Sequence, residues 1–223
     1  LKILAFSDTH NKHNDILFNS WIEDYLKEHS IDVIICCGDF STSQKSFDNF
    51  ISWYAKVPVK NKLLIAGNHD EVLEKKETRD SNLLFMKEEG LIYLEDNSII
   101  IDSIKFYGTP WTPIFMNWNF MGTENQLKKK FEKIDEDTHV LISHGPPYGI
   151  LDVVKYNLIP FHCVGSTPLA EKIGRKLKDL KLHVFGHVHE DYGMIEKYGI
   201  TFANVSTLNK QYEVVNKIQF FEI

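Results

Sequence analysis

V-I-I-C-C-G-D-F, Val33 to Phe40, sets a run of five apolar residues directly against Gly38 and Asp39. A short apolar run of this kind is a buried strand, and the glycine and acid that follow place a carboxylate just beyond its carboxyl end. The same construction recurs along the chain. Ile3 to Phe6 leads into S-D-T-H, with Asp8 and His10; Leu63 to Ala66 leads into G-N-H-D, with Asn68, His69 and Asp70. Val140 to Ile142 leads into S-H-G-P-P, with His144, and His183 to Phe185 leads into G-H-V-H, with His187 and His189. Open α/β sheets bind their ligands at the carboxyl ends of strands, so these five ends are where the chemistry is expected.

Helical stripes separate the first strands. Asn14 to His29 carries Ile16, Leu17, Trp21, Ile22, Tyr25 and Leu26 at helical spacing, with Asn14 as the expected cap. Phe47 to Ala55 and Ser81 to Glu89 read as further helices, the latter ended by Gly90. Strand alternating with helix is the pattern of parallel βαβ units. After Gly90 the runs Leu91–Leu94, Ser98–Ile101 and Ile104–Gly108 read as an antiparallel meander. Thr123–Lys133 and Pro168–Leu180 read as helices, and Gly193–Glu196, Thr201–Val205 and Lys217–Glu222 as strands. The expected class is α/β, bordering on α+β, with two sheets packed face to face and helices outside. Residues 1–223 are expected to form one domain, since no repeat, low-complexity tract or linker divides them.

Composition narrows the function classes. The 223 residues are 43% hydrophobic and 25% charged, ordinary for a globular protein, and the net charge of −6 offers no electrostatic case for nucleic acid or a membrane. No apolar stretch approaches the roughly 20 residues of a membrane-spanning helix. No signal peptide is read, because Leu1–Phe6 is short and runs directly into Asp8. The chain opens on Leu1 rather than Met, which leaves a removed leader open. Three cysteines, with Cys36 and Cys37 adjacent on one strand and so facing opposite ways, argue for core packing and a reducing, cytoplasmic setting rather than a disulfide framework.

The residues at the strand ends suit a divalent metal. Asp8 and His10, two apart, point the same way and can share an ion, as can His187 and His189. The Asp39 carboxylate has two oxygens and can bridge two ions; Asn68 offers an amide oxygen and His144 another imidazole. A mixed nitrogen and oxygen set without thiolate suits Mn, Zn, Fe or Ni better than Ca. Caps and turns account for aspartates and asparagines after strands, but not for four histidines there.

D-x-H, G-D, G-N-H-D, a lone histidine after a strand and G-H-x-H, in this order from Asp8 to His189, resemble the calcineurin-like metallophosphoesterase superfamily. G-T-P-W-T-P (Gly108–Pro113), S-H-G-P-P-Y-G-I-L-D (Ser143–Asp152) and F-G-H-V-H-E-D-Y-G (Phe185–Gly193) are similar to its MPPED-like branch, near the class III cyclic-nucleotide phosphodiesterases. The resemblance implies a double β-sandwich flanked by helices and two divalent metal ions, manganese first and iron, zinc or nickel as alternatives. One ion would take Asp8, His10, Asp39 and His189; the other Asp39, Asn68, His144 and His187. In some animal members of the branch a glycine replaces the first histidine of G-H-x-H and activity is weak; here His187 is present. Ser166 stands where the branch is expected to have cysteine.

Hydrolysis is then expected by in-line attack of a hydroxide held between the metals, with Asn68 and His69 meeting the developing charge. His69 is the expected proton donor to the leaving oxygen, and Asp70 the carboxylate that orients it. Substrate contacts are expected from Asn68, His69, His13, Trp111 and Tyr148, with His162 a weaker candidate. Trp111, Phe115, Trp118 and Phe120 read either as an aromatic lip over the site or as packing or a dimer contact. The expected substrate is a small phosphodiester, a cyclic nucleotide among the candidates. A phosphomonoesterase, a nucleotide pyrophosphatase and a weakly active nucleotide-binding scaffold are the alternatives. No nucleic-acid surface and no membrane partner are expected, and either a monomer or a homodimer fits.

Overall fold

Buried strands with two dry faces set the architecture. The computed structural model describes residues 1–156 and 159–223. The first half comprises β1 (Lys2–Phe6), α1 (Ile16–Glu28), β2 (Val33–Cys36), α2 (Gln44–Lys56), β3 (Asn61–Leu64), a short 3₁₀ turn, α3 (Lys76–Glu88) and β4 (Ile92–Tyr93). There follow β5 (Asn97–Ile101), β6 (Ile104–Thr109), β7 (Thr112–Pro113), β8 (Met121–Gly122), α4 (Glu124–Phe131), β9 (Val140–Ser143), β10 (Val153–Tyr156) and β11 (Ile159–Cys163). The chain closes with α5 (Thr167–Lys176), β12 (Leu182–Phe185), β13 (Gly193–Lys197), β14 (Ile200–Asn204) and β15 (Gln219–Glu222).

One sheet has the order β15-β1-β2-β3-β4, with β1 to β4 parallel and β15 antiparallel at the edge. The other has the order β13-β14-β12-β9-β6-β5, with four parallel central strands and an antiparallel strand at each edge. Alternation along each strand divides its side chains between two cores. Ile3, Ala5, Val33, Ile35 and Leu63 meet Phe106, Val140, Ile142, Val184 and Ala203 between the sheets. Leu4, Phe6, Ile34, Cys36 and Leu64 turn outward onto the first three helices. Tyr107, Leu141, Phe185 and Phe202 do the same for α4 and α5. Each central strand is therefore apolar on both faces, which is why these strands read as continuous apolar runs. Cys36 and Cys37 take opposite faces, as expected. No helix among the described residues is long and apolar enough to cross a membrane.

Several boundaries differ from the sequence reading. Asp15, not Asn14, caps α1, its carboxylate accepting from the amides of Leu17 and Phe18. α2 starts at Gln44, before its apolar stripe, because Ser43 and Ser46 form a reciprocal capping box. Leu91–Leu94 does not join a meander: β4 pairs parallel with β3, and only β5 and β6 form the antiparallel hairpin. Ser166, where a cysteine was expected, accepts from the amide of Leu169 and caps α5, a task a thiol does poorly. α5 ends at Lys176, and Leu177 and Leu180 pack beyond it.

An aromatic stack seats the helices. Phe50 lies 4.3 Å from Phe40, 5.4 Å from Tyr54 and 5.5 Å from Trp53, centroid to centroid. The Tyr54 hydroxyl donates toward the carbonyls of Ile34 and Leu63, tying α2 to neighbouring strands. Truncating Phe50 to alanine removes a fully buried ring from the centre of this stack, so Phe50→Ala should cost about 3–5 kcal/mol in equilibrium urea unfolding. A cost near zero would show that the stack can collapse without it.

Candidate metal centre

Loops leaving β1, β2, β3, β9 and β12 bring their polar residues to one place between the two sheets. Backbone hydrogen bonds lace them together. The amide of Asp8 donates to Gly38 O (3.0 Å), that of His10 to Asp39 O (3.0 Å) and that of Gly186 to His144 O (2.8 Å). The turns are sharp. Asp8, His10, Asp39 and His187 have φ of 54°, 38°, 54° and 71°, the left-handed region that side-chain-bearing residues seldom adopt. Such strain collects at functional sites.

Two glycines give the carboxylates room. A Cβ on Gly67 would stand 2.2 Å from Asp39 Oδ1 and 2.6 Å from His144 Cε1; one on Gly186 would stand 2.2 Å from Asp8 Oδ2. The glycines of G-N-H-D and G-H-V-H thus permit close approach.

Each carboxylate is half engaged and half open. Asp8 Oδ2 accepts from the His187 amide (2.9 Å) and the Ser206 hydroxyl (2.8 Å). Asp8 Oδ1 is buried without a hydrogen-bond partner among the described residues and lies 3.6 Å from His189 Nε2. Asp39 Oδ1 accepts from the His69 amide (2.8 Å), while Oδ2 faces His144 Nε2 at 3.4 Å, His10 Nε2 at 3.6 Å and His69 Nε2 at 4.0 Å. His10 Nε2 is likewise buried and unpartnered among the described residues. Nδ1–H of His144 donates to Cys37 O (2.8 Å) and Nδ1–H of His189 to Asn209 O (3.1 Å), since a carbonyl can only accept. Both imidazoles thereby turn Nε2 inward, the usual way a protein orients a metal-binding histidine.

These donors fit divalent cations. Ligand atoms of Asp8, His10 and His189 lie within 4.8 Å of one another, as do those of Asp39, His144 and His187. Asn68 Oδ1, 2.9 Å from His144 Nε2, belongs with the second group. His10, Asp39 and His69 form a third such cluster, so the His69 ring stands at the rim of the centre, closer than the sequence implied.

The charges agree with a site built for cations. Burial lowers His144 and His189, but the adjoining carboxylates outweigh it: Asp39 raises His144 to about 9, and Asp8 raises His189 to about 9. Burial pushes the Asp8 and Asp39 carboxyls up, and their histidine partners hold both below the usual carboxylate range. Burial brings His187 down to about 4, so its ring is neutral and ready to ligate.

Other expected site residues separate into those inside and outside the cavity of about 800 Å³ that opens over this cluster. Tyr148 lines it, with His10, Asp39, Asn68, His69, His187 and His189. His162 lines it as well. His13 does not: it is buried against Phe50 (5.4 Å) and Trp53 (5.5 Å), because the turn after His10 folds inward onto the aromatic stack. Trp111 is also outside the cavity lining. Its indole packs on Phe120 and donates to Asp96 (3.0 Å), with Lys130 over its ring. The aromatic segment therefore divides, Trp111 and Phe120 packing inward while Phe115 and Trp118 face the cavity.

Asp70 does not orient His69. Oδ2 accepts from the amides of Asp39 and Gly67, and Oδ1 from the amide and hydroxyl of Ser41, all at 2.8 Å, so the carboxylate is spent on two loops. Burial, then the charge of Asp39, pushes it up to about 7 against these donors. The sequence reading missed the segment after β14, which supplies Ser206 and Asn209 behind the ligands and Lys210 and Tyr212 to the cavity. Its signal was present but faint: Thr201–Val205 is also an apolar run that ends in polar residues.

Comparison with known proteins agrees with this geometry. Residues 1–191 match the family model described as calcineurin-like phosphoesterase, and the chain belongs to that family. It is 30% identical to human metallophosphoesterase domain-containing protein 1 over 96% of this chain and 68% of that protein. In fold it is similar to the phosphopantetheinyl hydrolase of Mycobacterium tuberculosis, with a TM-score of 0.64 at 15% identity over 99% of this chain and 95% of that one. It is likewise similar to the protein TT1561 of Thermus thermophilus, with a TM-score of 0.63 at 10% identity over 99% and 98%. The chain is a metallophosphoesterase with the metallophosphoesterase fold, and its clustered aspartates and histidines are candidate ligands for that family's metals.

Metal uptake should release protons. Near neutral pH the metal-free His144 and His189 are protonated, since both lie at about 9. A cation must displace those protons, so apparent affinity should rise as pH climbs from 7 towards 9. Titration calorimetry in buffers of different ionisation enthalpy should give heats that scale with buffer; heats independent of buffer would mean that neither imidazole loses a proton.

Proposed function

We propose that this site hydrolyses small phosphodiesters carrying a bulky, uncharged substituent, cyclic nucleotides among them. The observation that carries the reading is the wall of the cavity. Phe115, Trp118, Tyr148 and Tyr212 line it together with Ile114, Val154 and Val188, and Lys210 is the one lysine or arginine among the described lining residues. Flat aromatic faces suit a planar ring, and a volume of about 800 Å³ is ample for a nucleoside-sized group. A monoester dianion or a pyrophosphate brings more charge, for which the wall offers little beyond the metals, so the diester monoanion is favoured.

The proposed division of labour follows the donor geometry. Asp8, His10, Asp39 and His189 would hold one divalent ion, and Asp39, Asn68, His144 and His187 the other, with manganese the first candidate. Bound, the ions supply Lewis acidity and a water of lowered pKa. Asn68 and His69 lie beside the phosphoryl group, where their donors meet the charge that develops on its oxygens. His69, at the rim of the cluster and on the cavity wall, gives a proton to the departing oxygen. Tyr148 contacts the substituent. The unpaired cysteines fit a reducing, cytoplasmic setting.

Two outcomes test this. Purified protein should bind up to two transition ions per chain, and a chelator should abolish hydrolysis of a bis-nitrophenyl phosphodiester; activity that survives complete metal removal would sink the reading. His69→Ala should keep both ions by elemental analysis. It should lose roughly 10²–10⁴-fold in turnover of a diester with a ribose leaving oxygen, and far less with nitrophenolate, which departs unprotonated. Loss of one ion in this variant would make His69 a ligand instead.

A further inference from the structure

We propose that Trp118 is the positioning residue for the His69 imidazole, fixing by ring packing what a carboxylate fixes for many catalytic histidines. The inference rests on the reading of His69 as proton donor. It begins from a gap in the usual arrangement. Asp70 follows His69 in the sequence, but its oxygens are occupied by Asp39, Gly67 and Ser41. Neither ring nitrogen of His69 hydrogen-bonds to another described residue, and the closest carboxylate oxygen, Asp39 Oδ2, is 4.0 Å away. A histidine's outer torsion is broad, so a ring without a hydrogen-bond tether samples many angles unless something brackets it.

Two rings bracket it. His10 packs edge-on at 4.9 Å and 75°, and Trp118 packs at 4.8 Å and 44°. His10 cannot follow His69, because its own ring belongs to the ligand cluster. Trp118 is the adjustable side, and it is backed by Phe115 at 5.4 Å and 67°. The segment that carries it is latched to the histidine's own backbone. The Asn119 amide (3.2 Å) and side-chain Nδ2 (3.1 Å) both donate to Asn68 O, the carbonyl of the peptide that enters His69. The root is fixed as well: Thr112 pairs with Met121, Pro113 with Gly122, and the amide of Phe120 donates to Glu74. Indole, carbonyl latch and imidazole thus form one unit: the latch holds the backbone of Asn68, a proposed ligand, and the Trp118 ring, which packs on His69, sets where the His69 N–H points.

General-acid help requires the donor within about 2.6–3.2 Å of the departing oxygen, and a misplacement of about 1 Å can cost 10²-fold. Trp118→Ala should therefore keep the metals and lower kcat by roughly 10–100-fold for a ribose cyclic phosphodiester and by far less for a bis-nitrophenyl phosphodiester, while KM rises for both because Trp118 also lines the wall. Trp118→Phe, which keeps a ring face, should recover most of the loss. In a His69→Ala background the further change Trp118→Ala should lower kcat no further, since two residues acting as one unit are non-additive.

A second readout does not need turnover. In zinc-loaded protein with labelled histidine, the His69 ring resonance, assigned by its disappearance in His69→Ala, should broaden in Trp118→Ala, beyond the shift that loss of the indole ring current gives in any case, while that of buried His183 keeps its width. A His69 resonance that keeps its width in Trp118→Ala would overturn the proposal. So would a rise in KM alone, which marks a simple substrate contact, an equal loss on both esters, or full additivity with His69→Ala. If the wild-type protein turned over neither diester, the phosphodiesterase reading would fail on its own, and the resonance would still decide whether Trp118 positions His69.

Discussion

One buried carboxylate holds the site together without belonging to its ligand set. Asp70 accepts from the backbone of Asp39, Gly67 and Ser41 and from the Ser41 hydroxyl, joining the loop after β2 to the loop after β3. Those loops carry Asp39, which faces both halves of the cluster, and Asn68, which joins the second. Fixing the Asp39 amide fixes its side chain, whose Oδ2 then meets three imidazoles. Removing the Asp70 carboxylate would leave buried N–H groups unsatisfied, each a cost of roughly 1–3 kcal/mol, and would release the one residue both metals are proposed to share. An acid next to a catalytic histidine invites the reading of an orienting partner. Here the demand of buried amides is the stronger claim on it.

The same logic explains the strain. Positive φ at Asp8, His10, Asp39 and His187 turns each chain back sharply enough to point a side chain at a common centre. Left alone, such conformations cost of order 1–3 kcal/mol each. The cross-loop hydrogen bonds and the glycines at 67 and 186 allow them. A cluster with unpartnered, buried Asp8 Oδ1 and His10 Nε2 is poor as a metal-free arrangement and sound as a metal-binding one, because the open lone pairs face one another.

Most of this was legible in the sequence because it is local. A strand buried on both faces reads as an apolar run, and a strand end in a parallel sheet reads as the polar residues that follow it. That was enough to expect two packed sheets and to name the aspartates and histidines that the fold brings together. Three things were not legible, each for a physical reason. His13 lies only three residues past His10, but a turn reverses its direction, and sequence distance carries no information about which way a turn faces. Trp111 and Trp118 lie in one aromatic segment; which of them meets the cavity depends on Asp96 and Lys130 capturing one indole. The segment after β14 touches Asp8 and His189 through contacts 198 and 20 residues apart in the chain, and only the pairing of sheets brings them together.

The floor and the wall of the cavity are therefore built by different rules. The floor sits on parallel strand ends of both sheets and is tied by backbone hydrogen bonds, so its geometry is a property of the fold. The wall is made by side chains of the 113–120 segment, the turn at Tyr148, the β10–β11 hairpin and the loop bearing Lys210 and Tyr212. No described residue of these segments belongs to the core between the two sheets, so each can change in length or composition without disturbing that core. Proteins at 10–15% identity can share this fold for that reason, and the likeness carries no information about substrate. In the proposed reading the leaving group is read by the wall, and the wall reaches the proposed proton donor at one point, where Trp118 lies against His69 and Asn119 holds the peptide that enters it. A change that tunes substrate choice in that segment should then alter proton delivery at the same time, whereas changes around Tyr148 or Lys210 should leave it untouched.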